Sequence, residues 1–212
     1  MEGRTPILDP ISRLSEIMFG LLMALTFTGT MSVAVAGGAS VRSVLAAALG
    51  CNIAWGLVDG VMSVLTGITE RNRDRAAGVE LRRAAPDRAR EILRRYLPGE
   101  AATALSDAEL DRMIDRARQT EAPAFAGAGV EDLKAAVSIF ALVVLATLPP
   151  VLPFVVFDEL HRAMRWSNAV AVASLFVIGR ALDREMGGGW RMSLTVPLIG
   201  SALVVTTIAL GG

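Results

Sequence analysis

Four stretches of this chain are each long enough to cross a lipid bilayer, and together they hold a single charged side chain. Residues 17–41, 135–157 and 192–212 contain no Asp, Glu, Lys or Arg, and residues 43–69 contain only Asp59. A helix rises about 1.5 Å per residue, so roughly 20 apolar residues span a hydrocarbon core of about 30 Å. Residues 164–182 form a fifth, weaker segment. Its uncharged part is 166–179, closed by Arg180, whose long side chain can reach back to the interface. The apolar fraction of 53% would suit a soluble domain as well; the distribution of charge is what decides. The expected fold is an all-α integral membrane protein of five transmembrane helices.

Between the second and third spans lies a charged segment with no apolar run of spanning length. The organisation expected is therefore residues 1–69 as a tail and two spans, 70–131 as a helical insert, and 132–212 as three spans. Lys and Arg on the side of the N-terminus, the insert and the loop after the fourth span number 18. The opposite side has only Arg42, Arg162 and Arg165. The positive-inside rule then places the N-terminus and insert in the cytoplasm, and an odd number of spans puts the C-terminus outside. Ala34-Val35-Ala36 resembles a signal-peptidase site. The preceding apolar run is longer than a signal core and rich in Gly, Thr and Ser, so an uncleaved first span is expected.

Within the insert, helices are expected over 74–84, 87–96 with Asp87 as N-cap, and 106–119. The last opens on the capping-box spacing Ser106-Asp107-Ala108-Glu109. Residues 122–129, rich in Ala, Gly and Pro, read as a linker. In the spans, Gly56 and Gly60 form a G-x-x-x-G pair, and Gly20, Ala24 and Thr28 repeat small residues every fourth position. Such rows let backbones approach closely, either between the first two spans or between two copies of the chain, or in packing confined to one subunit. Pro149, Pro150 and Pro153 must break the hydrogen-bond ladder of the third span, which makes it a candidate pathway wall.

Asp59 is the leading candidate for chemistry. Acids at membrane depth are rare and face a cavity or a partner. Asn52 and Met62 share its helix face, and amide, carboxylate and thioether together suit a divalent transition metal. The other reading is a protonated Asp59 hydrogen-bonded to Thr or Ser of a neighbouring helix. Glu16, at the start of the first span, either guards a pathway mouth or interacts with the helix dipole. Met23 is a further possible neighbour. Asp107, Asp111 and Asp115 make an acidic stripe at i, i+4 and i+8, a weaker metal candidate than a solvated face, with Arg112, Arg116 and Arg118 interleaved. Arg180, Asp183, Arg184 and Glu185 read as an interfacial charge cluster. Cys51 is single and reads as a small buried thiol, and His161 is the only histidine. The balance of 21 basic and 21 acidic residues gives no support for nucleic-acid binding. With no P-loop, H-E-x-x-H or G-x-S-x-G motif, nothing supports an enzyme.

Three segments carry a family resemblance: Arg165-Trp166-Ser167-Asn168-Ala169-Val170, Leu175-Phe176-Val177-Ile178-Gly179, and the ending Thr206-Thr207-Ile208-Ala209-Leu210-Gly211-Gly212. With Ser15-Glu16-Ile17-Met18-Phe19-Gly20 and the two-plus-three span plan around a cytosolic insert, the chain resembles the vacuolar iron transporter family and its bacterial members. The resemblance implies a homodimer in a bacterial inner (plasma) membrane. It implies proton-coupled export of divalent iron or manganese, with ion paths along the first two spans and no permanently bound cofactor. Where the family commonly has Asn-Asp in the first span, this chain has Leu22 and Met23. The insert is Arg-rich rather than Glu-rich. A different class of function is a non-transporting scaffold that binds a partner or anionic lipid through its basic insert.

Overall fold

A computed structural model describes residues 8–36, 38, 40–121 and 124–209, without the side chains of 29–34, 36, 44, 207 and 208. The linker residues 122 and 123 and the last three residues of the C-terminal match lie outside what is described. The described residues form helices and their connections, with no strand among them. The helices are α1 (Pro10–Ala36), α2 (Val41–Arg83), α3 (Pro86–Tyr96), α4 (Gly99–Ala104), α5 (Asp107–Gln119), α6 (Val130–Ala146), α7 (Leu148–Val156), α8 (Leu160–Glu185) and α9 (Arg191–Ala209).

Three segments are long and apolar enough to cross a membrane: Pro10–Thr28, Val41–Arg83 and Val130–Val156. The apolar part of α9, Arg191–Thr206, is shorter. The chain divides into an apolar unit, Met1–Ser63 with Val130–Gly212, and an insert unit, Val64–Gly129.

In the apolar unit the core lies where α1, α8 and α9 meet around Leu21, Leu25, Ala171, Leu175 and Val196. Leu21 and Leu25 are among its most buried side chains, so α1 is a central element of the packing. On α8 every fourth residue turns inward: Ala163, Ser167, Ala171, Leu175, Gly179 and Asp183 are all buried. The proline-rich segment breaks as its sequence requires. α6 ends at Ala146, Thr147 forms the corner, and α7 restarts with Pro149 in its first turn. Pro150 and Pro153 are buried and Pro149 is exposed.

The insert differs from expectation in three places. No helix begins near 74, because α2 continues unbroken to Arg83. Polar residues end an apolar run without ending a helix, and Glu70, Arg71 and Arg73 are all compatible with helical backbone. Asp87 does not cap α3: Ala85 holds the N-cap and Pro86 the first turn, with Asp87 beside it near the positive helix end. A short helix, α4, occupies a stretch read as a connection. The capping box of α5 forms as the spacing predicts, Glu109 Oε2 accepting from the Ser106 backbone N–H at 2.9 Å. Leu81, Ala89, Ile92 and Ile114 make the insert's own small core.

Candidate ion site of the apolar unit

The glycine rows determine how α1, α2 and α6 meet. A Cβ at Gly56 would lie 3.2 Å from the Phe140 ring, one at Gly60 would lie 3.0 Å from Ala136 O, and one at Gly20 would lie 2.7 Å from Val143 O. Gly20, Gly56 and Gly60 therefore rest on α6, while Thr28 meets Asn168 of α8. Of the readings left open, packing within one subunit is the one seen at Gly20, Gly56 and Gly60. Between α1 and α2 stand two aromatic rings instead, Phe19 and Trp55, edge to face with centroids 6.1 Å apart. Ala24 lines a cleft described below.

That aromatic contact fixes the register of two antiparallel helices. One turn before Phe19 is Glu16; one turn after Trp55 is Asp59. In that register the two acids lie at one level. Both are half-buried. Asp59 Oδ2 is shielded from solvent and has no hydrogen-bond partner, so the neighbouring Thr or Ser anticipated for it does not reach that oxygen. Met62 is 53% exposed and lies off the row formed by Asn52, Gly56 and Gly60. The sequence pattern thus finds Asp59 and Glu16 as separate candidates, and the Phe19–Trp55 contact sets them at one level of adjacent helices. Only the antiparallel register reveals that.

In the opposite direction along the same helices stand Met23 and Asn52, which line a cleft against the α6–α7 corner. Asn52 is 5% exposed. Its Nδ2 donates to Val143 O at 3.2 Å and Thr147 Oγ1 at 2.9 Å. In a regular helix Val143 O would accept from the N–H of Thr147. That N–H turns to Val144 O at 3.3 Å, and the Asn52 amide takes its place. The candidate residues are therefore divided between two levels, an acidic one and a neutral one. Thr147 and the Val143 carbonyl escaped the sequence reading, although the prolines two and three residues beyond Thr147 were the signal that a carbonyl would need a donor.

Asp183 was also underestimated. It is 2% exposed, and its carboxylate caps α9, accepting from Met192 N at 2.9 Å, Ser193 N at 3.0 Å and the Ser193 hydroxyl. The turn that brings α9 back runs through Gly187, Gly188 and Gly189, all at positive φ, where a side chain is strained. Arg180 donates to Gly189 O at 2.5 Å and lies over the Trp190 ring at 4.2 Å.

In the insert, the acidic stripe meets arginines. Arg90 makes a two-pronged pair with Asp111, at 2.8 Å for each prong. Arg94 reaches Asp107 at 2.8 Å, and Arg118 lies 3.7 Å from Asp115. Arg90 and Arg94 are four apart on α3, the spacing that matches Asp111 and Asp107 on α5. The hydrogen bond from Arg90 holds the Asp111 carboxyl below the usual carboxylate range, and its charge adds to the effect. These carboxylates are engaged by guanidinium groups. Among the described residues no three His, Cys, Asp or Glu side chains gather as a metal-ligand set. Neither a protein-family model nor a curated protein matches the chain.

Proposed function

We propose that the chain is an integral membrane protein of five spans that moves a divalent metal cation, iron or manganese, in exchange for protons, with Glu16 and Asp59 as the shared binding pair. The observation that carries this reading is two carboxylates set at one level of adjacent apolar helices by the Phe19–Trp55 contact, one with a buried, unpartnered oxygen. An acid at the centre of a membrane helix costs about 2.5–3.5 kcal/mol on insertion scales, and two facing charges add repulsion. One divalent cation neutralises both. Two protons do the same. The pair therefore alternates between two electrically equivalent loads, which is what obligatory exchange requires. Met23, in place of a first-span acid, leaves the neutral level without charge, and Asp59 with Glu16 becomes the site where a cation is held.

The test is flux into proteoliposomes loaded with a metal-quenched dye, under an imposed pH gradient, with Fe²⁺, Mn²⁺, Co²⁺ and Zn²⁺ added in turn. Gradient-dependent quenching is expected, and Asp59→Asn should lower its rate by at least about tenfold, with Glu16→Gln giving a smaller loss. Unchanged flux in Asp59→Asn, or no flux of any metal through folded protein, overturns the reading. The alternative of lipid binding through the insert has less to draw on. Arg88, Arg90, Arg94, Arg95 and Arg118 are all paired with acids of the insert itself. What bears on it is the groove lined by Arg75, Arg82 and Arg83 around Ala76 and Val79, where Arg82 also donates to Ala117 O at 2.8 Å. Salt-sensitive binding to anionic vesicles in the absence of metal flux would shift the conclusion to it.

A further inference from the structure

The cleft at the neutral level is not used by the exchange just described. Three polar side chains line it, Thr28, Asn52 and Thr147, and they are only 6%, 5% and 3% exposed. Both hydroxyl protons are already committed. Thr147 Oγ1 donates to Val144 O at 2.8 Å. The one proton of Thr28 has two acceptors within reach, Leu25 O at 2.9 Å and Asn168 Oδ1 at 2.8 Å. The Asn52 nitrogen donates to Val143 O and Thr147 Oγ1. Val143 O can only accept, so this amide cannot be reversed. Its Oδ1 is left as a buried acceptor with no hydrogen-bond partner. The side chains of the wall therefore present oxygens that accept and no proton to spare. A buried acceptor without a donor is costly, and the donor it calls for must come from outside the chain.

Size and charge select that donor. About 30 Å³ is open inside the cleft, more than the roughly 10–15 Å³ that one water requires and too little for a larger molecule. The rest of the lining is apolar, with neither an acid nor a base in it, so a cation stripped of its hydration would meet no counter-charge. We infer that the cleft holds one ordered water molecule, which donates one hydrogen to Asn52 Oδ1 and the other to a threonine oxygen of the same wall, Thr28 or Thr147. This water completes the bonding of the amide that closes the α6–α7 corner. The inference does not rest on the transport reading, since it involves neither Glu16 nor Asp59.

Two measurements on the full-length chain in lipid nanodiscs test it. A density map that resolves waters at the protein surface should show a peak roughly 2.5–3.0 Å from Asn52 Oδ1. X-ray radiolysis, which makes hydroxyl radicals from water where it lies, should modify Met23 and Cys51, the two sulfur side chains of the cleft. Asn52→Leu should abolish both signals. Because that change also strips Val143 O of its donor, Ala48→Val serves as a second variant. Ala48 lines the cleft one turn from Asn52 on the same helix face, so its two added methyl groups occupy the space and leave the Asn52 bonds in place. The peak and the modification of Met23 and Cys51 should again be lost. No peak in such a map, an Asn52 Oδ1 found bonded to a donor of the protein, radiolytic modification unchanged in Ala48→Val, or a peak that disappears when choline replaces sodium would each overturn the inference.

Discussion

In the apolar unit, helices touch through glycine; in the insert, they touch through arginine. Gly20, Gly56, Gly60 and Gly179 each bring a backbone against that of a neighbouring helix, and buried hydroxyls there bond to partners on neighbouring helices. Ser167 donates to Pro150 O at 2.6 Å, and the Thr28 hydroxyl lies 2.8 Å from Asn168 Oδ1. In the insert, α3 and α5 join around a small cluster of apolar side chains, with half-exposed ion pairs alongside. The difference follows from the surroundings each composition suits. In hydrocarbon, burying leucine gains little, so close backbone packing holds helices together, and charges are excluded. In water, apolar burial provides the attraction, and exposed ion pairs add modest specificity.

Substitutions that swap these two modes should fail unequally. The largest effect is expected at Gly179, where a Cβ would strike Met192 O and lie 2.7 Å from both Met192 C and Ser193 Cα. Backbone atoms cannot step aside, so Gly179→Ala should cost at least about 3 kcal/mol, read as a collapse of the unfolding midpoint in detergent. Next comes Asp183→Ala, which leaves the Met192 and Ser193 amides without their acceptor. A fall of several degrees in the same midpoint is expected, with Asp183→Asn partly restoring it because one amide oxygen still accepts. If Asp183→Ala were silent, the carboxylate would not be needed to hold the start of α9.

The smallest effect belongs to Arg90→Met, since exposed ion pairs contribute little and salt screens them. Its pH signature is sharper than its size. The Asp111 carboxyl is depressed by Arg90 in the folded insert. Its contribution is therefore fully present above the ordinary carboxylate value of about 4 and is lost as pH falls through the lower folded value. Hydrogen exchange of α3 and α5 amides, corrected for the intrinsic rate, should rise below about pH 4 in the wild type. The rise should flatten in Arg90→Met. A pH response centred near neutrality would contradict this assignment.

Much of the fold could be read from the sequence because its signals are local. A charge-free run marks an apolar helix, three prolines mark a break, and Ser106 with Glu109 marks a helix start. What could not be read depends on register between distant segments. Polarity at Glu70 and Arg71 suggested a new helix near 74, although nothing there stops the one already running. Asp59 stood out as an intramembrane acid, yet its relation to Glu16 appears only when Phe19 meets Trp55. The Asp107–Asp111–Asp115 stripe was legible as a charged face, while its arginine partners on α3 required the folded pair. Asp183 looked like one more interfacial charge because no sequence rule announces that Met192 and Ser193 will need an acceptor.

The Asn52 amide stands in for a backbone hydrogen bond that the corner at Thr147 leaves unmade. In evolutionary terms the two positions are then one character. A relative whose third apolar helix lacks the prolines and runs straight has no vacant carbonyl at position 143, and an amide at position 52 becomes a polar group with nothing to do. A relative that keeps the prolines needs a donor there. Residue 52 and the segment 147–150 should therefore change together among relatives, even though 91 residues separate Asn52 from its acceptor Val143.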